Sequence, residues 1–358
     1  MPDPISYLKA SLAAVFASAM IVLAFRLVMR KSVHPIAAVI GVLAVGAGAV
    51  TGYGVLHFSW TWPPATALNR FLMIVLPTTV VVELLAAVFG RARTGILAKS
   101  AATGSGSLCA IGLRLALYAS VGRILLHDSV YLSDVGRGNP DAWTFAQTLT
   151  IPGSSFAGLI AAWSLLCRLS ERSAAGSITL SLAMAILCTG LATMMAGYIK
   201  GGAAAIPLAA ALAGTILASP LLANCFGGLG QKHLQGVIGI GVIGLFGLLC
   251  IGHYFGKLTG LRAIVLFLTP LLCWISELPG LRSLPAWKKS GVRLTAVTMV
   301  LTAVLLFAKR DFDMKMAPLL VGVGSPEIGL RRSSGSEPNL RRRVGQNPDN
   351  TADQTISH

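Results

Sequence analysis

The stretch FLMIVLPTTVVVELLAAVFG, residues 71–90, carries one charge, Glu83, and one proline, Pro77. Twenty helical residues rise about 30 Å, which is the thickness of a bilayer's hydrocarbon core. The run therefore reads as a membrane-spanning helix. Glu83 sits well inside it, and an ionised residue at a helix centre costs about 2.5–3.5 kcal/mol on insertion. Something must hold that carboxylate, or it must take a proton.

The rest of the chain is built from similar material. Of its 358 residues, 54% are hydrophobic and only 12% charged, with a mean hydropathy of +0.74. Soluble domains average about 25% charged residues, because a wet surface must cover the core. This chain has too little polar residue for that, so lipid is its solvent over most of its surface. Ten apolar runs are long enough to cross a bilayer, near residues 10–29, 35–56, 71–90, 106–126, 151–167, 176–198, 203–224, 235–256, 262–280 and 292–308. The fourth is weakened by Arg114 and Arg123, and the fifth is short. Each is expected to be helical, since a lipid-facing backbone must bond within its own segment. The fold class is an all-α, polytopic bundle over 1–308, followed by a polar, basic tail over 309–358 that is expected to be disordered.

Loop charge orients the bundle. Arg26, Arg30, Lys31, Arg91, Arg93, Lys99, Arg168, Arg172, Lys232, Arg282, Lys288, Lys289 and Arg293 fall on one side; Lys9, Arg70, Arg137, Lys200, Lys257 and Arg262 fall on the other. The positive-inside bias puts the richer set in the cytoplasm and the amino terminus outside. Lys309, Arg310 and Lys315, just past the tenth run, pull the other way. The expected location is a plasma or inner membrane. The formal charge of +16 does not read as nucleic-acid binding, because the cations lie at membrane boundaries and in the tail rather than on one folded face. The partners it implies are the lipid bilayer and its anionic headgroups.

Six cysteines (109, 167, 188, 225, 250 and 273) lie in or beside apolar runs without a C-x-x-C pair, and they read as small apolar residues. His57, His127 and His253 fall at the outer ends of runs two, four and eight, near Trp60, Trp62, Tyr131 and Trp143. Three imidazoles at one level are weak metal candidates. Interfacial belts of His, Trp and Tyr account for them equally simply, so no metal or cofactor is expected.

An internal resemblance links runs two to four with runs eight to ten. RFLMIVLPTTVVVELL, then GLRLALYA, parallels RAIVLFLTPLLCWISEL, then GVRLTAVT; ahead of them HPIAAVIGVLAVGAG parallels HLQGVIGIGVIGLFG. An offset of six spans preserves orientation, the mark of a parallel repeat. Run two contains the GxxxG pair Gly48/Gly52, which favours close helix packing. Pro77, Pro207, Pro220 and Pro270 lie inside runs and favour kinks.

The intramembrane charges carry the functional reading. Glu83 and Arg114 lie at matching depths on consecutive, antiparallel runs and are expected to pair. Glu277 and Arg293 repeat the arrangement closer to the interface, where solvation is expected to suffice. Arg123 is expected to snorkel outward beside Asp128. These four residues, Glu83, Arg114, Glu277 and Arg293, are the candidates for coupling to a small-molecule or ion substrate. Three classes stay open: a secondary transporter or permease, a membrane enzyme using the outer histidines with Asp128, Asp134 and Asp141, and a scaffold subunit without a small-molecule site.

The topology has a direct test. A single cysteine replacing Ser283 in a cysteine-free background is expected to react with an impermeant thiol reagent only after the membrane is opened. Labelling from outside in intact cells would reverse the assignment.

Overall fold

With no water to bond, every peptide group in hydrocarbon must find its partner within its own helix, and each of the ten apolar runs does so. The computed structural model describes residues 4–28, 37–58, 61–89, 105–133, 143–172, 175–226, 235–281 and 283–323. Among them, all regular structure is helical, and ten helices are long and apolar enough to cross a membrane. The chain is thus a multi-pass membrane protein. The spans are α1 (Pro4–Val28), α2 (Ala37–Val55), α3 (Ala67–Phe89), α4 (Ser105–Leu126), α5 (Phe145–Arg172) and α6 (Ala175–Met195). There follow α7 (Ile199–Ala203 and Ala205–Phe226), α8 (Gln235–Phe255), α9 (Gly260–Glu277) and α10 (Ala286–Val323). Residues Met1–Lys315 form one compact unit. The remainder of the tail, residues 324–358, lies outside the described residues, as do Asp134, Asp141 and the basic loops at 29–36, 90–104 and 227–234.

The fifth run, short in the sequence, is a helix of 28 residues. Its apolar stretch is cut by Pro152 and by neighbouring Ser, Thr and Gln, all of which the helix accommodates. Prolines leave clearer marks elsewhere. A proline ring clashes with the carbonyl four residues back, and the chain relieves this by changing its turn. In α3 the residues before Pro77, Phe71–Val75, form a π-helical turn. In α9 the segment Thr269–Glu277, with Pro270 in its first turn, is a 3-10 helix. In α7 the break at Ala204 precedes Pro207.

Two kinds of packing hold the spans together. The first is close approach of small residues: α1, α2 and α7 form a tight group. A Cβ placed on Gly52 would stand 2.6 Å from Pro207 and 3.1 Å from Ala14, and one on Gly214 only 2.6 Å from the Val15 carbonyl oxygen. Lipid supplies no hydrophobic drive between helices, so contact area and small side chains decide association. Three spans, α6, α7 and α8, are the most buried, and a contiguous apolar core runs through them. The second kind is polar and concentrates on α3, α4, α9 and α10.

Gly214→Val is expected to disrupt α1–α7 packing and lower the yield of monodisperse protein in detergent. Gly112→Ala, at a site with open space around it, serves as the tolerated control. Equal yields would show that this seam does not govern assembly.

Candidate functional site

Glu83 lies six residues before the end of α3, about 9 Å from that end at 1.5 Å per residue. Arg114 lies nine residues into α4, which starts from the same face of the bundle. The two meet as a bidentate pair: Arg114 Nε donates to Glu83 Oε1 at 3.0 Å and Nη2 to Oε2 at 2.5 Å. Glu83 is 1% exposed and Arg114 16%. Fork-to-fork geometry of this kind is the strongest form of ion pair available to side chains.

Three neighbours shape the pair. On α8, Gly236 and Gly239 face the carboxylate, and a Cβ on Gly239 would collide with it. Those glycines lie in the first turns of α8 (Gln235–Phe255), where the unpaired N–H groups give a positive potential that favours an anion. On α5, the Trp163 ring lies beneath the Arg114 guanidinium, 5.0 Å from its carbon to the ring centroid. One turn along α4 from Arg114, the Tyr118 ring meets Trp163 edge-on at 6.2 Å. Cys167, one turn from Trp163, and the Tyr118 hydroxyl both lie within the electrostatic field of Glu83 and Arg114.

The second charged pair departs from the expectation that solvation would suffice. Arg293 is 1% exposed, and its partner Glu277 is 12% exposed. Water cannot satisfy the guanidinium, so the protein does. Arg293 donates to Glu277 Oε1 at 3.2 Å, to Ser276 Oγ at 2.6 Å and to Ser177 Oγ at 3.3 Å. Beside it, Cys273 Sγ donates to Ser181 Oγ at 3.4 Å. The cluster joins α9, α10 and α6 on the same face of the bundle as Glu83–Arg114.

Toward the other face, Asp128 is not the partner of Arg123, which is exposed. Arg70 takes it instead, at 2.8 Å, and also donates to the His127 and Pro64 carbonyls. The reason is position: Arg70, mostly buried at the start of α3, lies beside Asp128 and two carbonyls, whereas the Arg123 side chain is exposed. A matching pair joins Arg262 at the start of α9 to Asp311 on α10. The α3–α4 and α9–α10 pairs thus carry the same four charges in the same order: Arg70, Glu83, Arg114 and Asp128 against Arg262, Glu277, Arg293 and Asp311. Three of these correspondences follow the internal resemblance; the fourth, between the aspartates, emerges only in three dimensions.

His57, His127 and His253 are all exposed and serve local roles. His127 pairs with Asp128 at 2.8 Å, and His253 Nδ1 donates to the Leu258 carbonyl at 2.8 Å. His253 also meets Tyr254 edge-on, within a cluster of Tyr131, Trp143 and Tyr254. Among the described residues, no three His, Cys, Asp or Glu side chains converge to hold a metal. No protein family, curated protein or solved structure matches this chain.

Burial ranks the charges. Arg293→Met leaves Glu277 without its cation in a dry site, and breaking a buried pair costs about 3–5 kcal/mol. A clear fall in thermal unfolding temperature is expected, against no change for Arg123→Met. Equal temperatures for the two variants would mean that Arg293 is solvated.

Proposed function

We propose that the chain is a secondary transporter of the plasma or inner membrane whose working element is the Glu83–Arg114 pair. In the carrier step Glu83 exchanges Arg114 for a proton or a cationic substrate, and the released arginine stays within the bundle over Trp163. One observation carries this reading: a fully buried carboxylate is held by a single arginine on the adjacent helix. Such a pair gives little net stability, because desolvating two charges offsets most of their attraction, and apolar residues of similar volume often serve a fold as well. A proton or cation can displace an arginine only where the two compete for one carboxylate, as they do here. The π-turn before Pro77 supports the same reading. It lies 8–12 residues from Glu83 on the same helix, and such turns supply an adjustable register.

Purified protein in proteoliposomes loaded with a pH-sensitive dye tests the proposal. Inward gradients of small organic cations, organic anions and alkali ions are applied in turn. At least one is expected to drive proton movement, with Glu83→Gln assembled but at least tenfold slower. The reading fails if no gradient moves protons. It also fails if the double variant Glu83→Gln/Arg114→Gln recovers full transport, because the pair would then serve packing alone.

A further inference from the structure

Tyr118 and Trp163 do more than line the pair. The Tyr118 hydroxyl and the Trp163 indole N–H are buried and have no hydrogen-bond partner among the described residues. Tyr118 is 2% exposed, and burying such a group unpaired is costly. Both belong to one small shell: their rings touch edge-on, Trp163 carries Arg114 on its face, and the Tyr118 hydroxyl lies in the field of Glu83 and Arg114.

Most of the free hydrogen-bonding capacity brought by Arg114, Tyr118 and Trp163 is donor capacity. Arg114 commits two of its five N–H groups to Glu83. The Trp163 N–H can only donate, and the tyrosine O–H is available to donate. Among the described residues, the titratable and charged groups around Glu83 are Arg114 and Tyr118 from α4, with Cys167 and then Glu171 beyond them on α5. The first turns of α8 present Gly236 and Gly239, and α2 presents Val42. Glu171 is exposed at the end of α5. A cation placed here meets one carboxylate and, beyond it, only the Tyr118 oxygen. An acceptor meets Arg114, Tyr118 and Trp163 together.

Charge balance then fixes what accompanies the acceptor. Glu83 and Arg114 sum to zero, and a dry site stays viable only near neutrality. An anion can take over Arg114 only if Glu83 gains a proton in the same event. The geometry points to a binding site for a small monocarboxylate between α4 and α5, filled together with one proton. The proton goes to Glu83, and the ligand's carboxylate replaces the Glu83 carboxylate on Arg114, with Tyr118 and Trp163 as added donors. The aromatic walls suit a ligand with an apolar body. The inference rests on the transport reading for its biological use, yet binding itself is measurable alone.

Equilibrium binding of radiolabelled benzoate and acetate to the full chain in nanodiscs is the test, with ethylammonium as the cationic counter-probe. Benzoate is expected to bind saturably, one per chain, at least tenfold tighter at about pH 5.5 than at about pH 7.5. Tyr118→Phe and Trp163→Phe each remove one donor and are expected to weaken binding about five- to tenfold at the lower pH, a typical loss for one hydrogen bond. Glu83→Gln, which mimics the protonated acid, is expected to bind benzoate at both pH values without the pH dependence. The site is overturned if assembled wild-type protein binds neither carboxylate at either pH. It is equally overturned if both Phe variants bind as wild type, or if Glu83→Gln keeps the pH dependence. Ethylammonium binding that tightens with rising pH and vanishes in Glu83→Gln would overturn it while sparing the transport reading. Benzoate binding with no benzoate-driven proton movement in proteoliposomes would do the reverse.

Discussion

A charge can be buried in hydrocarbon only with a partner already in place, and much of this structure follows from where those partners come from. Among the described residues Glu83 takes its cation from α4, which makes α3 and α4 neighbours at that depth. Arg293 needs acceptors from two other spans, and it thereby ties α10 to α9 and α6. At the other end of the same helix pairs, Arg70 and Arg262 hold Asp128 and Asp311. Each of these peripheral helix pairs is pinned at two levels, so neither sliding nor rotation is free of electrostatic cost.

The other half of the bundle is held differently. Between α1, α2 and α7, small residues bring backbones together until a single added methyl would collide. Dispersion at such short range is steep, and a packed seam of this kind has one good arrangement. Ion pairs, in contrast, can exchange one partner for another of like charge at similar energy. The protein therefore joins a part that resists rearrangement to a part whose links are exchangeable, and the proposed chemistry falls in the second.

The spans were legible because length and apolarity are properties of a linear segment, and hydrocarbon imposes helix on any such segment. The Glu83–Arg114 pair was legible for a similar reason: equal depth on consecutive helices leaves few other partners. Legibility ended where contacts come from helices distant in sequence. Trp163 looks like an ordinary apolar-run aromatic, and only the packing of α5 against α4 brings it to Arg114 and to Tyr118, one turn further along α4. Ser177 and Ser276 are unremarkable in the sequence until Arg293 is found between them. Proximity along the chain points Asp128 to Arg123, whereas Arg70, distant in sequence and mostly buried, is the residue that takes it. The glycines at 236 and 239 were visible as small residues, but not as the wall behind a carboxylate.

The depth of Glu83 has an electrical consequence. Glu83 lies about 9 Å along α3 from the nearer end of its span, against a hydrocarbon layer roughly 30 Å thick. A proton reaching Glu83 from that end crosses about a third of the membrane voltage, worth on the order of 0.7 kcal/mol per 100 mV out of about 2.3 for a full crossing. In the proposed transport cycle, loading from one side would therefore be only weakly voltage-sensitive, and release to the far side would carry the remaining two thirds. If an anion travels with the proton, the two contributions cancel and the cycle becomes electrically silent. For a proton carried alone, the position of one side chain along one helix would thus decide which half of the proposed cycle a membrane potential drives.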